Sequence, residues 1–269
     1  MTWFAAPIAA LAAIGVLSAC AGPAPGLPDA LRLTQPVVLL GEVHDHPAQH
    51  ALRLQAFADA LARGARPALA LEQFDRGKQG ALDALQASQP APDAQALIAA
   101  AGASGWDWAY YRPFIALALQ YGLPVVAANV SREEARRVMR EGLAASGFDA
   151  EVPADLLAAQ VAAIEASHCG KLPSGVAPRM ALSQVARDQF MARVLQTHAP
   201  RGVVLLAGNS HVRTDVGVPR WLDAATRGRS VAIGVLEEGD PTTAFDRIVR
   251  TAVHPRPDPC LDFKPPPPR

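Results

Sequence analysis

Short aliphatic runs recur along the chain, each uninterrupted by charge: Val37-Val38-Leu39-Leu40, Ala68-Leu69-Ala70-Leu71, Val125-Val126-Ala127-Ala128 and Val203-Val204-Leu205-Leu206-Ala207. A strand that is apolar at every position must be covered on both faces, which is the pattern of a parallel sheet sandwiched between helices. A further strand reads at 230–236, and 244–251 reads as an added edge strand. Helical stretches fall between the runs, at 47–63, 93–101, 113–121, 131–145, 154–167 and 178–197. Ser131 and Glu134 form a capping box, and Pro113 reads as a first-turn proline after an irregular aromatic segment at 106–111. The alternation predicts an α/β fold: a mainly parallel twisted sheet with helices on both faces. Ligands of such sheets bind outside the carboxyl ends of the strands.

The 269 residues suffice for one large α/β domain, and at 50% hydrophobic they supply a sizeable core. Formal net charge is zero, from 25 basic and 25 acidic side chains, so no basic surplus argues for nucleic acid. The short basic group Arg132, Arg136, Arg137 and Arg140 alternates with Glu133, Glu134 and Glu141 and reads as a solvated helix face.

Residues 3–19 are uncharged and mostly apolar, too short a run for a membrane span, and lead into Leu17-Ser18-Ala19-Cys20. That ending resembles a bacterial lipobox, although no Lys or Arg precedes it. The reading is a signal peptide at 1–19 and a lipidated Cys20. A Pro/Gly tether at 20–33, a single domain at 34–255 and a Pro-rich tail at 256–269 follow. The expected location is the bacterial envelope, on the outer membrane or the periplasmic face. In an oxidising compartment the two remaining cysteines, Cys169 and Cys260, suggest a disulfide. The alternative is a nucleophilic or metal-binding Cys169 beside His168.

Two of the aliphatic runs end alike, one in Gly41-Glu42-Val43-His44 and the other in Gly208-Asn209-Ser210-His211. Each glycine lets the chain turn sharply as it leaves the sheet, and each histidine follows three residues later. Glu72 and Asn129 close two other strands. Two carboxylates, two histidines and an amide therefore converge at strand ends, and Glu42, His44, Glu72 and His211 are expected to share one pocket. As a divalent-metal site these four would serve a metal-assisted hydrolase, with a glutamate as base. His46 and His50 have the spacing of helix-borne metal ligands but lack the HExxH glutamate, and read as a solvated helix start. His198 and His254 carry no signal. Gly-rich phosphate loops, GxSxG and CxxC motifs are absent from the sequence.

An ordered series of segments resembles the ChaN-like family of haem-binding bacterial lipoproteins. The segments are Leu40-Gly41-Glu42-Val43-His44-Asp45 with His50, Leu71-Glu72-Gln73-Phe74, Trp106 with Tyr111-Arg112-Pro113, and Ala128-Asn129. They continue with His168-Cys169-Gly170-Lys171-Leu172-Pro173, Arg187-Asp188-Gln189-Phe190-Met191-Ala192, and Ala207-Gly208-Asn209-Ser210-His211-Val212-Arg213 before Gly217-Val218-Pro219. More remotely, the GxxH pair is similar to Tiki-type proteases and erythromycin-esterase-like enzymes. The resemblance implies haem or porphyrin binding and a part in iron acquisition, with a homodimer or a haem-uptake partner as associates. A haem needs an axial ligand, an apolar slot and cations for its propionates, and histidine and tyrosine both ligate haem iron. The implied ligand is Tyr111, with Tyr110 beside it. His44, His211, Arg112 and Arg213 are candidates for the propionates or for a hydrogen bond to the ligand. An envelope structural or partner-binding protein is the remaining reading.

Overall fold

A computed structural model describes residues 26–261 and 263. The strands are β1 (Val37–Leu40), β2 (Ala68–Asp75), β3 (Val125–Asn129), β4 (Val203–Leu206), β5 (Ser230–Glu237) and β6 (Arg247–Thr251). They form one sheet in the order β3-β2-β4-β1-β5-β6, and every neighbouring pair is parallel. The helices are α1 (Pro47–Ala62), α2 (Gln79–Gln86), α3 (Ala94–Ala101), α4 (Trp108–Gln120), α5 (Arg132–Glu141), α6 (Ala154–Ser167) and α7 (Val176–His198). Two single turns follow, α8 (Asn209–Val212) and α9 (Ala224–Arg227).

Each aliphatic run serves two cores. Val38, Leu40, Leu69, Leu71, Val204 and Leu206 face α1, α3 and α4. Their neighbours Val37, Leu39, Ala68, Ala70, Val203 and Leu205 face Met191, Ala192, Val194 and Leu195 of α7. That is the period-two alternation of a strand buried on both sides. Because β1 and β4 are neighbours in register, with Leu40 opposite Leu206, the two matching strand ends lie side by side.

Several expectations shift. Helix α4 starts at Trp108, where the Asp107 side chain accepts from Ala109 N, so Pro113 is interior to the helix and 108–111 is not irregular. The buried stripe Tyr111, Phe114, Ile115 and Ala118 outweighs the one backbone hydrogen bond that Pro113 forgoes. The capping box at Ser131 and Glu134 forms, but α5 stops at Glu141, before Gly142 with φ 84°. Helix α2 had no expectation. Leu31 and Leu33 are buried in the first core, so packed chain begins ahead of residue 34. Cys20 and the segment 1–19 lie outside the described residues.

A disulfide joins Cys169 to Cys260, which leaves no free thiol at Cys169 for metal or nucleophilic chemistry. It ties the tail to the turn between α6 and α7, 91 residues away in sequence, a closure worth about 4–5 kcal/mol in the chain-entropy account. Among the described residues no helix is long and apolar enough to cross a membrane.

The edge strand β3 is blocked by side chains. Gln86 of α2 donates to Val125 O (3.1 Å) and accepts from Val125 N (2.8 Å), while Gln79 accepts from Ala127 N (2.7 Å). Two glutamines thus occupy the ladder positions of an absent seventh strand. Gln79→Ala/Gln86→Ala should cost about 1–3 kcal/mol per orphaned backbone group and make the protein self-associate. Urea unfolding and light scattering check both. An unchanged midpoint with no association would show the edge needs no cover.

Candidate functional site

At the carboxyl ends of β1, β2, β3 and β4 lies a cleft of about 870 Å³, within the usual range for small-molecule sites of about 300–1,000 Å³. His44, Glu72, Asn129 and His211, from the strand ends, line it together with Tyr110 of α4. Trp106 forms an aromatic wall with Tyr110, and Arg132 and Arg187 supply cations.

Glycines permit the close approach of the two strand ends. A Cβ on Gly41 would collide with the Asn209 side chain, whose amide bridges to Val235 O (2.7 Å) and Val235 N (3.2 Å). A Cβ on Gly208 would sit 2.9 Å from Cε1 and Nε2 of His44.

Glu42 does not line the cleft; it lies beneath, with its side chain fully buried against the guanidinium of Arg53. Its Oε1 accepts from the Tyr111 hydroxyl (2.5 Å) and faces His44 Nδ1 (2.8 Å). Arg53 is itself wholly buried and donates to Leu40 O (3.0 Å). Burial pulls Arg53 down to about 10, still charged at neutral pH. His50 packs into the same network. One ring nitrogen is 2.9 Å from His44 O, and the ring stacks on Tyr110 at 4.3 Å.

The second histidine sits in a different environment. His211 Nδ1 is 2.6 Å from Asp188 Oδ1, and its Nε2 is 3.5 Å from Glu72 Oε1. Burial opposes a charge on this ring, but Asp188 and Glu72 outweigh it and raise the pKa to about 10. Burial also opposes the Glu72 carboxylate, and His211 with the Gly208 N–H (2.8 Å) brings it down to about 2. His44, by contrast, is lowered by burial.

These placements correct several residue assignments. Tyr111 is 1% exposed, bonded to Glu42, and raised in pKa by burial, so its hydroxyl does not face the cleft. Tyr110, partly exposed, does line it. Arg112 is exposed and away from the cleft, and Arg213 makes a two-bond pair with Asp215 (2.9 and 2.6 Å). The cations that reach the cleft are Arg132 and Arg187, the latter also donating to Asn129 (2.6 Å). Of the four residues of the metal-site reading, Glu42 is spent on Arg53, Tyr111 and His44 Nδ1, and Glu72 and His211 on each other, Gly208 and Asp188. Among the described residues no group of three or more His, Cys, Asp or Glu side chains is placed to hold a metal ion. His46 and His50 are both 3% exposed, neither solvated nor paired as ligands. His46 instead caps α1 and contacts Ala252 O (2.9 Å). Arg53 escaped sequence reasoning although its spacing from His50 and Phe57 puts a charge on the apolar face of α1.

The fold and the cleft define an α/β protein with a polar, aromatic-walled ligand site at its strand ends. Residues 32–222 match the family model described as "Haem-binding uptake, Tiki superfamily, ChaN", and the chain belongs to that family. A solved structure described as cofacial haem binding to ChaN of Campylobacter jejuni is similar, with TM-score 0.63 and 21% identity, over 76% of this chain and 82% of that one. Weaker likenesses include the erythromycin esterase mutant EreC (TM-score 0.42, 12% identity, 80% and 76% covered) and the type III effector HopBA1 (0.39, 11%, 81% and 88%). No curated protein matches the sequence.

The buried His211 triad should make stability pH-dependent. A raised histidine stabilises fully below its unfolded value near 6.5, and that contribution is lost as pH rises through about 10. Melting temperature should therefore fall from pH 7 to 10. In Asp188→Asn the fall should begin at lower pH, because a charge that holds the imidazolium is gone. His211→Ala, which strands two buried carboxylates, should cost about 3–5 kcal/mol. Superimposable wild-type and Asp188→Asn profiles would refute a charged His211.

Proposed function

We propose that this protein binds haem in the cleft between the Trp106/Tyr110 wall and the His44 imidazole, as a lipid-anchored component of iron or haem uptake. The observation that carries the reading is the composition of the cleft in a member of a haem-binding family. It offers aromatic surface for the ring, an imidazole with one free nitrogen, and two guanidiniums, Arg132 and Arg187, for the propionates. Gly208 leaves the edge of the His44 ring unobstructed, where any side chain would press on it. The residues present therefore fit the group. Bound haem would supply an iron centre; the chain supplies orientation, partial exclusion of water and counter-charge.

Haemin titration followed by absorption spectroscopy tests this. The wild type should give a saturable Soret band. Trp106→Ala and Arg187→Ala should each weaken binding by about tenfold or more, equivalent to about 1.4 kcal/mol for one lost stacking or charge-assisted contact. No Soret band at any haemin concentration would defeat the proposal. Running the titration at several protein concentrations also tests association as a homodimer, the arrangement in which a second copy would cover the open side of the cleft.

The anchor rests on Leu17-Ser18-Ala19-Cys20 and the Pro/Gly segment after it. Cys20→Ser should move the protein from the membrane fraction to the soluble fraction. A variant that stays with membranes, uncleaved, would remove lipidation from the account and leave haem binding untouched.

A further inference from the structure

We propose that residues 252–260 form a redox-latched strap. With the Cys169–Cys260 disulfide closed, the strap ties the loop of Asp45 and His46, on one wall of the cleft, to the turn between α6 and α7. When a dithiol reduces the disulfide, the strap frees and the loop loosens. Whatever the cleft binds, one of its walls then depends on the state of a disulfide.

Past β6, residues 252–258 join no helix or strand, and most of the segment is exposed. Its sequence, His254-Pro255-Arg256-Pro257-Asp258-Pro259-Cys260, puts a proline at every second position. Each proline fixes its own φ and biases the residue before it to extended backbone, so the segment is a stiff spacer that loses little entropy when tied at both ends. The near end grips the loop after β1. His46 Nδ1 accepts from Gln49 N, so Nε2 carries the proton and donates to Ala252 O (2.9 Å). Arg256 donates to Asp45 (3.0 Å) and, through both Nη atoms, to Glu237 at the end of β5 (2.9 and 3.0 Å). The same Glu237 accepts from His254 N (2.8 Å). Gln49, in the first turn of α1, accepts from Val43 N (2.8 Å) and donates to Thr251 Oγ1 (3.0 Å).

The far end is held by the disulfide. Beside it, among the described residues, Lys171 Nζ donates to Cys260 O (2.8 Å) and Phe263 meets the His168 ring edge-on at 5.6 Å. Exposed contacts of this kind are weak, and a chain end with little burial frays, so the covalent link is what keeps Arg256 over Asp45. The link also joins two walls of the cleft. Asp45 lines it from the loop, and Gln184 and Arg187 line it from α7, the helix that follows the Cys169 turn. Both cysteines are only half buried, so a thiolate can reach the sulfurs. One thiolate of the reductant attacks one Sγ and forms a mixed disulfide, releasing the other cysteine as a thiolate that takes up a proton. The second thiol of the reductant then displaces the first cysteine. Two electrons and two protons pass to the protein, and the reductant leaves as its own disulfide.

The test is hydrogen exchange of the full chain by mass spectrometry, before and after dithiothreitol, at labelling times at which β2 is still unexchanged. Reduction should speed exchange across residues 43–50 by about tenfold or more, as a local opening with the sheet intact. Cys169→Ser/Cys260→Ser should show the same increase without reductant and no further change with it. Arg256→Met keeps the disulfide and cuts the strap's grip on Asp45 and Glu237, and should speed the same residues by about threefold or more. The strap is overturned if residues 43–50 exchange alike in the oxidised, reduced and cysteine-free proteins, or if they open only together with β2, which would make the disulfide a staple of the whole domain. Unchanged exchange in Arg256→Met overturns the route through Arg256. A disulfide that dithiothreitol leaves intact in the folded protein overturns the latch.

Discussion

Arg53 is among the largest fully buried side chains in the protein, and its charge sits under the end of the central strand. A guanidinium taken from water is costly, and an ion pair in the interior is sustained only where the remaining donors and lone pairs are also met. Here Leu40 O accepts from Arg53 and the Tyr111 hydroxyl and His44 Nδ1 meet Glu42 Oε1, while Arg53 Nε is left without a partner among the described residues. The pair therefore joins four elements. Helix α1 gives the arginine, the end of β1 the glutamate, the loop after it the histidine, and α4 the tyrosine. Removing either charge of the pair leaves the other uncompensated in the core.

The sheet order makes this floor useful. With β1 between β4 and β5, the loop carrying His44 emerges beside Gly208 and the α8 turn that carries His211, and β2 brings Glu72 next to both. The register between β2 and β3 shifts between Leu71 and Asp75, at the stretch that contains Glu72. A local irregularity of this kind re-aims side chains at a sheet rim. The Asn129 amide then ties the two strands together by donating to Glu72 O (2.8 Å).

How much of this was legible in the chain depended on distance along it. The parallel sheet, its strand-end site and the nearness of His44 to His211 followed from aliphatic runs and from one repeated Gly-x-x-His pattern, all local signals. Which tyrosine faces the cleft did not, because that depends on helix phase. Once the Asp107 cap sets the start of α4 at Trp108, Tyr111 shares the inward stripe with Phe114 and Ile115, and Tyr110 turns outward. The cations were misassigned for a related reason. Arg112 and Arg213 are near the histidines and tyrosines in sequence, whereas Arg132 and Arg187 reach the cleft only through the packing of α5 and α7. Arg53 required recognising a charge on an apolar helix face as a core residue, which makes sense only when its partner Glu42 is placed under it.

The matching strand ends also show why a repeated motif does not imply a repeated role. His44 and His211 each follow a glycine by three residues at neighbouring strands, yet their surroundings drive them apart. His211 is enclosed, with a carboxylate on each nitrogen, and those two charges raise its pKa against the effect of burial. His44 has a carboxylate on one nitrogen only, is half open to the cleft, and is pushed toward neutrality by burial. A protonated imidazole has no lone pair to offer a metal, and a neutral one whose other nitrogen is anchored has a single directed lone pair. One fold element used twice thus yields one enclosed imidazole between two carboxylates and one imidazole half open to the cleft.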